Sequence, residues 1–244
     1  MKLQKIIDVL QSIALDSLAE EWDNVGLMIG DKNQEINKIL IALDFNSLVL
    51  DEAINLGADL IITHHPAIFN PLKRITDKNY IKAIKNDIAV YSMHTNLDNA
   101  KDGVNYVLAD LLELYNCDQA GMIRYGETIE KTLEEFIEFL KIKFNVQSVR
   151  FVGDMKRRIK KVAVLGGSGG SMIDDVINLG VDLYVTGECQ YNHAQTAYEN
   201  DLALIVLGHF ETENPVIYKL FDMISHRIDA EIFVSQSENI YKLF

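Results

Sequence analysis

Two adjacent histidines, His64 and His65, follow directly on the apolar run Leu60–Thr63 and are themselves followed by Pro66. A proline keeps such a run from continuing as a central strand. The pair therefore sits at the C-terminal end of a buried strand, the edge where open α/β sheets bind ligands. Adjacent side chains on an extended backbone point to opposite sides. That suits two different metal ions, or one ion and its outer shell, better than one shared ion. Two further stretches, His94-Thr95-Asn96-Leu97-Asp98 and His209-Phe210-Glu211-Thr212-Glu213, place a histidine and a carboxylate four residues apart just past predicted strands. On a helical turn such residues share a face, with Cβ atoms about 5–6 Å apart. Zinc-protease helices bind their ion with that spacing. Imidazole mixed with carboxylate suits zinc, manganese, iron, nickel or cobalt, and does not suit calcium. Spacing alone leaves His64, His65, His94, Asp98, His209 and Glu213 as candidate ligands.

The elements that must position these residues are legible as periodicity. Leu3, Ile6, Ile7, Leu10 and Ala14 predict an amphipathic opening helix. Apolar runs at Ile39–Leu43, Leu60–Thr63 and Ile88–Met93 alternate with helix-length segments at 47–57 and 77–86. The alternation resumes with Val162–Leu165, Leu183–Thr186 and Leu204–Leu207, and a last strand is expected near Ile232–Val234. Between the two series, Thr132 and Glu135 stand at capping-box spacing ahead of the helical face Leu133, Phe136, Ile137 and Leu140. Strands alternating with helices predict βαβ units and a largely parallel sheet.

The second series repeats the first. Residues 54–63 read INLGADLIIT and residues 177–186 read INLGVDLYVT, identical at seven of ten positions. Residues 86–98 and 200–213 both begin Asn-Asp, run through an apolar stretch and end in His-x-x-x-carboxylate. Convergence on a common βαβ pattern is the alternative to duplication, but two segments repeating in the same order favour duplication. The expected architecture is two related, interlinked α/β halves, residues 1–121 and 122–244, with mixed, largely parallel sheets flanked by helices. A pseudo-two-fold relation would bring Asp98 and Glu213 toward one cleft. Glu188 and His193 follow the second-half strand as His64 and His65 follow the first, which makes them candidates for proton transfer or substrate contact.

Composition narrows the function classes. With 23 Lys and Arg against 36 Asp and Glu, the net charge of −13 disfavours nucleic acid and anionic membranes as partners. The basic run Lys156–Lys161 is read as a solvated turn. No apolar stretch is long enough to span a bilayer. Cys117 and Cys189, at no metal-finger spacing, point to free thiols in the cytoplasm, and Cys189 is read as a bystander. Gly166-Gly167-Ser168-Gly169-Gly170 lacks the Walker lysine and the dinucleotide fingerprint, and reads as a tight strand–helix turn whose amides could cradle an anion. His226, in a late helix, is assigned no role.

His64-His65-Pro66-x-x-Phe69, His94-Thr-Asn-x-Asp98, Thr186-Gly187-Glu188 and Gly208-His209-x-x-Thr212-Glu213, together with Trp22-Asp23-Asn24-x-Gly26-Leu27, resemble the motifs of the NIF-three-like family. Its members are often labelled "GTP cyclohydrolase I type 2 homologue". The resemblance covers essentially the whole chain and corresponds to the short form, without the domain that longer members insert. Met28 departs from the family, which commonly has Gln after Gly-Leu; this leaves substrate choice open. The resemblance implies two divalent metal ions per subunit, held by His64, His65, Asp98, His209 and Glu213, with His94 near the site rather than a ligand. It also implies a homohexamer with its sites facing inward. Five protein ligands cannot saturate two ions, since a closed structural zinc takes four. A carboxylate must bridge and water must complete the shells, which is the mark of a reactive site. A metal-dependent hydrolase acting on a small-molecule substrate, either a purine nucleotide or a phosphoester, is the first expectation. A non-enzymatic protein that stores, delivers or senses metal is the second.

Overall fold

A computed structural model describes residues 1–242. Along the chain its elements are α1 (Leu3–Ile13), β1 (Gly26–Ile29), β2 (Lys38–Ala42), α2 (Ser47–Leu56), β3 (Leu60–Thr63), α3 (Lys78–Lys85), β4 (Ala89–Ser92) and α4 (Thr95–Asn99). There follow α5 (Val104–Leu111), β5 (Tyr115–Ala120), β6 (Ile123–Thr132), α6 (Leu133–Phe144), β7 (Arg150–Val152) and β8 (Arg158–Leu165). The chain continues through α7 (Ile173–Asn178), β9 (Leu183–Thr186), α8 (Tyr191–Glu199), β10 (Ala203–Val206), α9 (His209–Glu213), α10 (Pro215–Ser225) and β11 (Glu231–Val234). The expected strands and helices are present, with ends displaced by a residue or two except at β8. That strand begins at Arg158, so Arg158–Lys161 of the basic run expected as a turn lie in the strand, where β6 pairs with it. Among the described residues, no helix is long and apolar enough to cross a membrane.

The chain divides into two compact units, one formed by Met1–Gly103 with the segment from Val216 onward, the other by Val104–Pro215. The first holds a sheet of order β1-β4-β3-β2-β11. Its strands β2, β3 and β4 run parallel, and β1 pairs antiparallel with β4. Each helix here is bounded by local chemistry. The Asn46 side chain accepts from the amides of Leu48 and Val49 to start α2, and Gly57, at φ 67°, ends it. Asp77 caps α3 in the same way. Leu40, Ala42 and Ile61 of the sheet bury against Val49, Leu50 and Ala53 of α2 and Ala83 of α3.

The second unit holds a sheet of order β5-β6-β8-β9-β10-β7. Strands β8, β9 and β10 run parallel, β7 pairs antiparallel with β10, and β6 pairs antiparallel with β8. Alternation along the strands divides the core. Val162, Val164, Leu183, Val185, Ala203 and Ile205 face α5 and α6, while Ala163, Leu165, Tyr184, Leu204 and Val206 face α7 and α8. Burial on both faces explains why these strands read as continuous apolar runs. The capping box of Thr132 and Glu135 forms as expected.

The expected seam near residue 122 falls instead inside the β5–β6 hairpin, which hydrogen-bonds within the second unit's sheet. At the other end, β11 leaves the second series and pairs with β2, Ile232 opposite Ile39. The physical reason is the backbone of β2, whose outer edge would otherwise lack a partner. A parallel partner needs a crossover, and α10 supplies one.

Candidate metal centre

In the first unit, β2, β3 and β4 end side by side. Their C-terminal tips carry Asp44, His64, His65 and His94. His64, 1% exposed, donates from Nδ1 to the Met93 carbonyl at 2.8 Å. His65 donates from Nδ1 to Asp44 Oδ1 at 2.7 Å. His94 donates from Nδ1 to Asp23 Oδ1 at 2.9 Å. These acceptors set the tautomer of all three rings and leave Nε2 as the donor to a ligand. Metal-binding histidines almost always carry such an outer partner. The rings lie 5.1–5.8 Å apart between centroids. Their ligand atoms lie within 4.8 Å of one another, so the three could hold a metal ion. Asp98 reaches the same place from α4, with Oδ1 3.7 Å from His64 Nε2.

Asp23 is the keystone of this arrangement. Besides His94 it accepts from the Thr95 amide and hydroxyl. Burial opposes its ionisation, but these donors outweigh the burial and hold the carboxyl well below the usual carboxylate range. A permanent carboxylate thus orients His94 and starts α4.

In the second unit the tips of β9 and β10 build a different set. His209 opens α9 with Nε2 2.9 Å from Glu213 Oε2 and Nδ1 3.3 Å from Glu188 Oε1. A neutral imidazole has one N–H, so it can donate to only one of these two carboxylates. Glu213 is 5% exposed and lies against the glycine loop. At Gly167 (φ 60°) a Cβ would fall 2.0 Å from Glu213 Oε1. The Gly167 amide donates to Thr212 Oγ1 at 3.0 Å, and the Glu188 amide donates to the Gly167 carbonyl at 2.7 Å. The loop therefore packs against Glu213 at Gly167, while a Cβ at Gly169 would meet Thr186 and Tyr184 and one at Gly170 would meet Cys189.

Sequence reasoning placed most of these residues correctly at strand ends. His94, left open by spacing and set outside the ligands by the family pattern, groups here with His64 and His65. His193 lies half-buried in the first turn of α8 and joins neither cluster. Burial pushes the Cys189 thiol up despite the nearby Arg150 guanidinium, consistent with an inert side chain. His226 is exposed just past α10. The outer carboxylates Asp23 and Asp44 were missed. Asp44 carried one usable signal, its place just beyond β2 at the edge where His65 leaves β3.

The His-x-x-x-carboxylate repeat is also corrected. Leu60 pairs with Ala89, and Leu183 pairs with Ala203. Counting on from Ala89 and Ala203, His94 corresponds to Gly208, Thr95 to His209 and Asn99 to Glu213. The two motifs are therefore one residue out of register on the common strand frame.

The chain matches the family model described as Duf34/NIF3 (NGG1p interacting factor 3) over residues 1–240. It is 38% identical over 247 residues to a Clostridium perfringens protein named "GTP cyclohydrolase 1 type 2 homolog", covering 95% of this chain and 94% of that protein. Among solved structures it resembles Staphylococcus aureus protein SA1388, with a TM-score of 0.91 at 28% identity, covering 100% of this chain and 99% of that one. It also resembles reduced HcgD from Methanocaldococcus jannaschii, with a TM-score of 0.87 at 33% identity, covering 97% and 98% of the two chains. By motif order, fold and extent of match, the chain belongs to the Duf34/NIF3 family.

Proposed function

We propose that His64, His65 and Asp98 are metal ligands of the first unit and His209 and Glu213 metal ligands of the second, and that the chain carries two divalent ions. We further propose that the protein is a metal-dependent hydrolase of a small polar substrate. The relatives' name points first to a purine nucleotide opened as in GTP cyclohydrolase chemistry; a phosphoester is the other substrate class. The observation that carries the reading is the anchoring of His64 and His65 through Nδ1, which leaves Nε2 of each as the donor to an ion, with Asp98 Oδ1 3.7 Å from His64 Nε2. When bound, a pair of such ions lowers the pKa of water and polarises the oxygen under attack.

The chain's own residues supply the rest. Asp23, Asp44 and the Met93 carbonyl hold the rings in one tautomer and orientation. In this reading Glu188, half exposed beside His209, takes a proton from the attacking water and returns it to the leaving group. His193 remains a candidate for substrate contact. The family resemblance further supports a homohexamer, and the free thiols Cys117 and Cys189 support a cytoplasmic setting.

The test is turnover of GTP and of a phosphoester panel by chain reconstituted with zinc, manganese, iron, nickel or cobalt in turn. Saturable, metal-dependent hydrolysis is expected, reduced about 10²–10⁴-fold by Glu188→Gln. Bound ions that exchange freely while no substrate turns over would instead identify a metal store or carrier.

A further inference from the structure

The chain's one tryptophan, Trp22, is 59% exposed, and Phe69 beside it is 46% exposed. Their ring centroids are 6.0 Å apart at an interplanar angle of 49°. Both rings meet His94 edge-on, Trp22 at 6.3 Å and Phe69 at 6.4 Å. Large aromatic surface left in water beside the histidine cluster is not a consequence of a loose chain. Asn24 Nδ2 donates to the Ile68 carbonyl at 2.5 Å, which ties the turn carrying Trp22 to the loop carrying Phe69. Tyr80 donates to the Ala67 carbonyl at 2.7 Å, and the Ala67 amide donates to Ser92 Oγ at 3.3 Å, so the loop is tied back to α3 and β4. Asp23, next to Trp22, is held by His94 and Thr95. The two rings are thus presented on a fixed backbone next to the candidate metal ligands.

We propose that Trp22 and Phe69 form the wall on which the substrate's flat, nitrogen-rich ring stacks, so that they set specificity for a heteroaromatic base. This rests on the nucleotide reading given above. The two rings already touch each other, so a ligand ring lies on the pair rather than between its members, with its reacting edge turned toward His94. Offset stacking on a rigid aromatic surface is tolerant of the base and strong enough to orient it. Such a wall binds ground state and transition state alike, and its loss raises KM while leaving kcat nearly unchanged.

Because Trp22 is the only tryptophan, its fluorescence reports on the wall directly, without metal or turnover. Titration with GMP should quench the emission saturably, and ribose 5-phosphate should not. Phe69→Leu keeps apolar bulk but removes the π-face, and should weaken the GMP response roughly fivefold to a hundredfold. The proposal is overturned if ribose 5-phosphate quenches as well as GMP, or if Phe69→Leu leaves the affinity unchanged. It is also overturned if GMP has no effect while emission depends on protein concentration, which would make the pair a contact between copies. The two readings fail separately. Saturable GMP binding without metal-dependent hydrolysis would sink the hydrolase and leave the wall; hydrolysis with an unaltered KM in Trp22→Leu would do the reverse.

Discussion

In the first unit Asp59 accepts backbone hydrogen bonds from Asn37 and Lys38, at 2.7 and 3.0 Å. In the second, Asp182 accepts them from Lys160 and Lys161, at 2.9 and 2.8 Å. The likeness continues along both repeats. Gly57 and Gly180 take φ of 67° and 62°, and Asp87 and Asp201 take 55° and 52°. Asn86 and Asn200 each donate from Nδ2 to a carbonyl four residues back, that of Lys82 and that of Thr196. The strand orders β1-β4-β3-β2 and β7-β10-β9-β8 correspond member for member. The strand tips do not correspond. Thr63 is followed by His-His-Pro and Thr186 by Gly-Glu-Cys, while His94 stands where the second unit has Gly208. The comparison teaches that one backbone frame carries two donor sets: the frame is set by turns and pairings that both units share, and the chemistry by tip residues that differ between them.

That comparison can be broken at its tips or in its frame. The largest effect is expected from Gly167→Ala, where the new methyl would clash with Glu213 Oε1 at 2.0 Å and φ is already positive. It should displace Glu213, cost about 1–3 kcal/mol of stability and remove metal from the second set, as read by denaturant unfolding and elemental analysis. Next is Asp44→Asn, which leaves His65 in place but weakens its anchor; metal affinity measured by competition with a chelator should fall about 10–100-fold. Unchanged affinity would mean that His65 is not a ligand.

Asp59→Ala and Asp182→Ala test the frame. Each deletes an acceptor for two amides, and each should destabilise by about 1–3 kcal/mol, by similar amounts. A large inequality in urea unfolding would mean that the frames are alike in shape only. The smallest effect concerns pH. Asp23 has a carboxyl held below its unfolded value of about 3.9. Its contribution is therefore fully present above that value and lost as pH falls through it and below. Asp23→Asn should flatten the stability profile on the acid side and leave the neutral side parallel to the parent.

Most of the frame was legible in the sequence because it is built from local signals. The INLG(A/V)DL repeat marks the end of a helix, a turn and a buried strand, and Thr132 with Glu135 marks a helix start. The unit boundaries were not legible. The strand near Ile232–Val234 was expected, but its pairing with β2 was not, because that pairing spans most of the chain and no local pattern announces it. The tip histidines were legible because strand ends followed by His are few. Asp23 and Asp44 were not: an aspartate in a turn serves as a cap far more often than as an outer partner of a ligand, and only the fold brings Asp23 to His94, 71 residues away. The one-residue offset between His94 and His209 likewise emerges only from strand register.

The most direct test of the central claim is metal content per chain, measured by elemental analysis of protein purified without chelator, for the parent beside His65→Ala and Glu213→Ala. The two donor sets predict close to two ions in the parent and loss of metal in both variants, with the fold retained by circular dichroism. A parent that binds no metal even after reconstitution, or a Glu213→Ala chain that keeps two ions, would contradict it.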